Sequence, residues 1–177
     1  MKAAAGSVLI SDIEIQRRVA ELATLISDDY RGRAITIVGI LKGSFIFIAD
    51  LIRSIDPAIP IELEFMTVSS YGSGTTSSGE VRISQDIETS LDGKHLLLVE
   101  DIVDTGLTIA SIRHLLASRG VASIRIATLL EKETARGHSL TLDYVGFKIP
   151  DRFVVGYGLD FGQRYRNLKE IRVFDAQ

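Results

Sequence analysis

The sequence predicts an α/β protein with a mainly parallel sheet. Apolar segments of strand length alternate along the chain with apolar segments of helical period. The run Leu96–Val99 is entirely apolar, which is typical of a strand buried on both faces of a parallel sheet. Ligands of such sheets bind at the carboxyl ends of the strands, so the loops that follow the strands are the candidate site.

The first half of the chain alternates helix and strand. Ser11 and Glu14 form a capping-box pattern that begins a helix with apolar positions at Ile15, Val19, Leu22 and Ile26. Asp56-Pro57 ends a second helix. The remaining predicted elements here are a β-branched strand over 34–40, a tight turn over 41–44, the second helix over 45–52 and a half-exposed strand over 61–68.

The second half begins with a segment rich in Ser, Thr and Gly, Ser69–Glu80, which predicts a mobile loop. Val81–Ile83 is interpreted as the returning strand of a hairpin. A helix with apolar residues at Ile109, Ile112, Leu115 and Leu116 stops at Gly120. The predicted strands are 96–99, 124–130, 145–147 and 154–157. With no repeat or linker, we expect a single domain over residues 1–177.

Composition excludes several classes of function. The chain of 177 residues has a net charge of -3, which gives no general attraction to nucleic acid or acidic membranes. It has no cysteine, so disulfides, thiolate nucleophiles and cysteine-based zinc sites are excluded. Met1–Ser7 lacks the apolar core of a signal peptide, and we expect a cytoplasmic protein.

The segment from Glu100 to Thr108 carries the strongest functional pattern. Three acids within five positions precede a Thr-Gly-Leu-Thr turn and a helix. Free N–H groups at a helix start suit a phosphate, and carboxylates suit sugar hydroxyls or Mg²⁺. Alternatively, Asp104 or Thr105 is an N-cap and the other acids are solvated. Clustered like charges repel one another and concentrate at functional sites, which favours the first interpretation.

Val99–Thr108 resembles the phosphoribosyl pyrophosphate (PRPP) motif of the type I phosphoribosyltransferases, and most closely that of the hypoxanthine-guanine enzymes of purine salvage. Four further segments match in the same order, namely Leu41–Ser44, Ser69–Gly72, Leu130–Lys132 and Pro150–Asp160. The resemblance implies a single-domain type I fold, with a mainly parallel twisted sheet flanked by helices, a small hood subdomain and a flexible lid loop at about 69–80.

The resemblance also implies a reaction. The 5-phosphoribosyl group of PRPP passes to N9 of hypoxanthine or guanine, giving IMP or GMP and pyrophosphate, with Mg²⁺ as cofactor. Asp104 resembles the general base that takes the N7 proton. The implied PRPP-binding residues are Glu100, Asp101, Asp104, Thr105, Gly106, Leu107 and Thr108.

Two further groups of residues carry implied roles. The pyrophosphate group comprises Lys42, Gly43, Ser70, Tyr71 and Arg166, with a typically cis Leu41–Lys42 peptide and with Ser70 and Tyr71 in the lid. The purine group comprises Lys132, Phe153, Val154 and Asp160. Lys132 would donate to the 6-oxo group, Phe153 would stack on the ring, and Val154 would contact the purine edge through its backbone. Glu100, Asp101 and Asp160 are the implied metal ligands.

Two alternatives stay open. Some relatives of this fold are RNA-binding nucleotide sensors, but the net charge and the absence of a basic cluster outside the carboxyl-terminal stretch argue against that function. A second alternative keeps the enzyme and changes the base to xanthine or another nucleobase. The resemblance further implies a homodimer or homotetramer whose partners are PRPP and a 6-oxopurine, without nucleic acid or membrane.

Overall fold

The computed structural model describes residues 6–70, 81–133 and 140–174. Among them, no helix combines the length and the apolar character needed to cross a membrane. The elements are β1 (Val8–Ile10), α1 (Asp12–Asp29), β2 (Ile35–Leu41), α2 (Phe45–Ser54), β3 (Ile61–Ser70), β4 (Val81–Gln85), β5 (His95–Val103), α3 (Leu107–Ala117), β6 (Ser123–Lys132), β7 (Tyr144–Ile149), β8 (Val154–Val155) and β9 (Ile171–Val173).

The larger sheet confirms the predicted α/β class. Its six strands have the order β4-β3-β2-β5-β6-β7. Neighbouring strands are parallel except for β4, which pairs antiparallel with β3 as the returning strand of the predicted hairpin. The Ser11–Glu14 capping box is also present, with the Ser11 backbone N donating to Glu14 Oε2 at 2.8 Å. The carboxyl ends of five strands therefore meet along one edge.

The central strand β5 divides the core into two apolar clusters. Leu97 and Val99 belong to the cluster that also contains α1 and α2. Leu96 and Leu98 belong to the cluster that contains α3. All four side chains are fully buried, as predicted from the unbroken apolar run.

Strand β5 continues farther than predicted, so that it includes Glu100 and Asp101. Glu100 pairs with Thr128 and Ile102 with Leu130, so the ladder to β6 runs on to Val103. Glu100 and Asp101 therefore lie within the strand and do not follow it. The prediction ended at Val99 because charged side chains interrupt the apolar pattern, whereas backbone hydrogen bonds to the long β6 continue it.

A smaller antiparallel sheet, with the order β1-β9-β8, joins the two ends of the described chain. It corresponds to the hood that the resemblance implies. β1 and β9 were not predicted, because strands of three residues leave almost no periodic pattern. Of the implied lid, residues 71–80 lie outside the described residues, while Ser69 and Ser70 are the last residues of β3.

Strand β7 forms one edge of the larger sheet, and α1 contacts it there. Arg18 of α1 donates from Nε to the carbonyl oxygen of Gly146 at 2.9 Å and from Nη2 to that of Val145 at 2.8 Å. Its Nη1 also pairs with Glu21 at 2.8 Å. One helix side chain is thus bonded to the backbone of the edge strand.

Candidate active site

A cavity of about 440 Å³ opens at the carboxyl edge of the larger sheet. Its walls come from the ends of β2, β3, β5 and β6 and from the segment that contains β8. It is lined by Leu41, Lys42, Gly43, Thr67, Val68, Asp101, Ile102, Asp104, Lys132, Arg152, Phe153, Val154, Leu159, Asp160 and Arg166. The parallel topology thus brings together side chains that are far apart in sequence.

The turn after β2 is packed tightly against two neighbours. The Leu41–Lys42 peptide is cis, as the resemblance implies. A Cβ added to Gly43 would lie 1.6 Å from Asp101 Oδ2, so a larger residue cannot fit without movement. A Cβ added to Gly158 would lie 2.2 Å from the carbonyl oxygen of Gly43. Glycine at both positions therefore allows the backbone of this turn to approach the acids of β5.

Glu100 and Asp101 form a carboxylate pair at the base of the site. Burial raises the pKa of Glu100 well above its ordinary value, and the neighbouring Asp101 carboxylate raises this pKa further. A bound cation would favour the charged form of both groups, and carboxylate oxygens are the donors that Mg²⁺ prefers. Within the described ranges, no three acid or histidine side chains are grouped closely enough to hold a metal. The pair therefore fits Mg²⁺ only if other ligands, such as substrate oxygens or water, complete the coordination.

A second cavity, of about 120 Å³, lies at the amino end of α3. Gly106 is the N-cap of this helix, with φ 81°, and it has no side chain to bond the first N–H groups. Neither Asp104 nor Thr105 occupies the N-cap position, contrary to the alternative weighed from the sequence. The cavity is lined by Glu100, Ile102, Val103, Asp104, Thr105, Gly106, Thr108 and Ile109. The N–H of Leu107 donates to Thr105 Oγ1 at 3.5 Å, and the N–H groups at this positive end of the helix can bind an anion.

Lys132 connects two carboxylates at the mouth of the main cavity. Its Nζ lies 3.2 Å from Asp104 Oδ2 and 2.9 Å from Asp151 Oδ1. Burial acts to lower the pKa of Lys132, but the hydrogen bonds and charges of Asp151 and Asp104 together raise this pKa above its ordinary value. The Lys132 side chain is therefore a fixed ammonium that can donate to a carbonyl oxygen in the cavity.

Asp160 and Arg166 form a second polar group in the lining of the main cavity. Arg166 Nη2 lies 2.7 Å from Asp160 Oδ1, and Arg166 Nη1 donates to the carbonyl oxygen of Gly158 at 2.7 Å. The backbone N of Gln163 donates to Asp160 Oδ2 at 2.7 Å. Each oxygen of Asp160 therefore accepts from one donor and keeps a second lone pair, with which it could bind a metal.

Most of the site residues predicted from sequence lie around the two cavities. Leu107 is the first residue of α3 and is not among the lining residues of either cavity. Ser70 ends β3, and Tyr71 lies outside the described residues. Six residues that line the main cavity were not predicted as site residues, namely Leu41, Thr67, Val68, Ile102, Arg152 and Leu159. Thr67 and Val68 follow the same rule as the predicted residues, since they approach the carboxyl end of a parallel strand.

The fold and the site define a class of protein. A mainly parallel sheet carries at one edge a helix start that can bind an anion, a carboxylate pair, a fixed ammonium and an exposed aromatic residue, Phe153. Such a combination is typical of α/β proteins that bind a phosphorylated sugar and a planar base. In agreement, the family model for the phosphoribosyl transferase domain matches residues 11–162.

Similar proteins narrow the class to one family. The chain is 48% identical over 164 residues to hypoxanthine phosphoribosyltransferase of Haemophilus influenzae, covering 91% of this chain and 90% of the relative. It is 47% identical over 173 residues to hypoxanthine-guanine phosphoribosyltransferase of Bacillus subtilis, covering 98% and 95%. A crystal structure of hypoxanthine phosphoribosyltransferase from Staphylococcus aureus superposes with a TM-score of 0.91 at 46% identity, covering 97% and 92%. The chain belongs to the hypoxanthine-guanine phosphoribosyltransferase family.

Proposed function

We propose that this protein transfers the 5-phosphoribosyl group of PRPP to N9 of hypoxanthine or guanine, giving the nucleoside monophosphate and pyrophosphate. The observation that carries the proposal is that Asp104 lines both cavities. A nucleotide with its 5′-phosphate at the start of α3 would thus have its sugar beside Glu100 and Asp101. Its base would then lie beside Lys132 and Phe153.

In the proposed reaction, the N9 lone pair of the base attacks C1 of the ribose while the bond from C1 to the pyrophosphate oxygen breaks. The proton on N7 passes to the Asp104 carboxylate, which acts as general base. Positive charge develops on the ribose in the transition state, and the carboxylates of Glu100 and Asp101 stabilise this charge and bind the ribose hydroxyls.

Base selection rests on Lys132 in this proposal. A 6-oxo group accepts a hydrogen bond from the Lys132 ammonium. The 6-amino group of adenine is itself a donor, so it cannot form this bond and adenine would bind less well. Phe153 lines the cavity and is 52% exposed, so its ring would contact a planar base by stacking. Buried Val154 would contact the edge of the base through its backbone.

The pyrophosphate would be bound by the Lys42–Gly43 turn and by Arg166, whose guanidinium suits phosphate oxygens. Ser70 and Tyr71 would close over it. Arg166 would exchange its bond to Asp160 for the substrate. Glu100, Asp101 and Asp160 are the proposed ligands of Mg²⁺, which neutralises charge on the pyrophosphate when bound.

An initial-rate assay with PRPP and Mg²⁺ tests the function against hypoxanthine, guanine, xanthine, adenine and uracil. We expect turnover with hypoxanthine or guanine and none with adenine or uracil. Turnover restricted to adenine or uracil would contradict the role of Lys132, and a folded protein inactive with every base would contradict the function. The RNA-binding alternative gains no support from the relatives described above.

Asp104→Asn is the first variant to make. Because an amide cannot accept the N7 proton, we expect turnover to fall by about 100-fold or more, within the usual range for a general base. PRPP binding measured by calorimetry should be largely preserved. Unchanged turnover would rule out Asp104 as the base.

We further propose a single-domain, cytoplasmic homodimer or homotetramer. The resemblance to the family supports this assembly. Light scattering coupled to size-exclusion chromatography measures it directly, and a monomer at assay concentrations would contradict it.

A further inference from the structure

Four aromatic rings form a cluster beside the part of the main cavity that contains Phe153. They belong to Phe153, Phe161, Tyr165 and Phe174. Of these, Phe153 alone lines the cavity. Phe161 is 46% exposed on the protein surface and Phe174 is buried.

The ring of Phe153 contacts two other rings of the cluster. Phe161 meets it edge-to-face, with centroids 5.8 Å apart and planes at 90°. Phe174 meets it at 5.9 Å and 64°. Phe161 and Phe174 are themselves stacked, with centroids 4.3 Å apart and planes at 27°. Edge-to-face and offset pairs are the favourable geometries for aromatic rings, so these contacts define one orientation of Phe153.

The backbone of the cluster is also fixed. The backbone N of Phe174 donates to the carbonyl oxygen of Phe153 at 2.8 Å, which continues the pairing of β8 with β9. Phe161 and Arg164 exchange two backbone hydrogen bonds, of 3.2 and 3.1 Å, across a tight turn. The rings of Phe161 and Phe174 therefore rest on backbone that is itself hydrogen-bonded.

An aromatic ring that is already held in its bound orientation loses less conformational entropy when a flat ligand stacks on it, so the ligand binds more tightly. Phe153 is half-exposed, so solvent on its open side does nothing to restrain it. Building on the proposed function, we propose that Phe161, backed by Phe174, is a positioning residue that fixes the Phe153 ring for stacking on the purine. Affinity for the base then depends on a surface side chain that does not line the cavity.

Phe161→Leu tests the inference, because it keeps an apolar side chain and removes the ring. We expect the KM for hypoxanthine and the Kd for GMP to rise by about three- to tenfold, the range for loss of one aromatic pair. The KM for PRPP and kcat should stay within about twofold of the parent values, because the proposed phosphate and proton-transfer groups are untouched. Phe161→Tyr keeps the ring and should behave as the parent protein.

A double-mutant cycle distinguishes positioning from general packing. In a Phe153→Leu background, Phe161→Leu should have little further effect on GMP affinity, because the ring it positions is absent. Leu25→Ala, at a half-exposed apolar residue of α1, is the matched control and should leave all constants unchanged.

Unchanged hypoxanthine KM and GMP affinity in Phe161→Leu, or an undiminished effect in the Phe153→Leu background, would overturn the inference. Equal losses in Phe161→Tyr and Phe161→Leu would also overturn it. GMP calorimetry tests the positioning role even without turnover, whereas failure of the parent protein to use any base counts against the proposed function.

Discussion

At the scale of single residues, Lys132 shows how much of a side chain's role depends on its neighbours in the fold. The sequence predicted a donor to the base, and the structure adds a carboxylate on each side of it, from Asp104 and Asp151. The resemblance implied that Asp104 belongs to the site, but neither the contact of Asp104 with Lys132 nor that of Asp151 was predicted. Asp151 is nineteen positions after Lys132 in the sequence, and the fold brings its carboxylate to 2.9 Å from the Lys132 ammonium.

Asp151→Asn should lower kcat while leaving the KM for PRPP unchanged. Without the second carboxylate, the ammonium of Lys132 is drawn more strongly to Asp104, which then accepts a proton less readily. The Asp151 side chain is 64% exposed, so the fall in kcat should be modest, about two- to fivefold, as for an exposed ion pair.

Initial rates at saturating substrates measure this effect. Glu88→Gln makes the same change of charge at an exposed residue that lines neither cavity, and it is the matched control. A kcat for Asp151→Asn equal to that of the control would show that Asp151 has no influence on Asp104.

At the scale of elements, the long apolar strands and the amphipathic helices were predictable from sequence. The apolar run Leu96–Val99 predicts a buried strand, and the Ser11 capping box predicts the start of a helix. The extension of β5 through Glu100 and Asp101 was not predictable, because a backbone ladder to β6 overrides the polarity of those side chains. β1 and β9 were not predicted, because strands of three residues leave almost no periodic pattern.

The turn between β2 and α2 leaves no room for a side chain at Gly43. Gly43→Ala places a methyl group 1.6 Å from Asp101 Oδ2, so either the turn or the carboxylate must move. We expect PRPP affinity to fall by about tenfold or more, as for a displaced positioning group. Calorimetric titration with PRPP measures the loss.

The matched control for that variant is Gly146→Ala in β7. Its added Cβ would be 2.4 Å from the carbonyl oxygen of Leu129, a crowded position that lines neither cavity. It should lower the Tm without changing PRPP affinity. Equal affinities for the two variants would mean that close approach of the Lys42–Gly43 turn to Asp101 is not needed for binding.

At the scale of the whole molecule, α1 is joined to the sheet by a polar cluster on the side where β5, β6 and β7 begin. The Tyr144 hydroxyl donates to Asp29 Oδ2 at 2.6 Å and accepts from Arg125 Nη1 at 2.6 Å, while Arg125 also pairs with Asp29. The hydrogen bond from Tyr144 and the charge of Arg125 lower the pKa of Asp29 below its ordinary value, against the effect of burial.

Tyr144→Phe should therefore destabilise the protein in a pH-dependent way. A lowered carboxyl pKa gives stability that is present above the pKa of the unfolded state, about 3.9, and is lost as the pH falls through the folded value. We expect a cost of about 1 kcal/mol near neutral pH, since Asp29 is partly exposed and one hydrogen bond is lost.

Urea unfolding of both proteins at neutral pH and near pH 3 measures the difference. The gap in unfolding free energy should shrink at the acid end. A gap that is the same at both values would show that the Tyr144 hydroxyl does not stabilise the charged form of Asp29.

The contact of Arg18 with the edge strand β7 bears on the tendency of the protein to aggregate at high concentration. An outer strand offers its backbone groups to any extended chain, and strand addition of this kind is a common start of aggregation. Here an incoming strand would have to displace a guanidinium that is bonded to Val145, Gly146 and Glu21 together. Arg18 of α1 therefore competes with an added strand for the backbone of this edge.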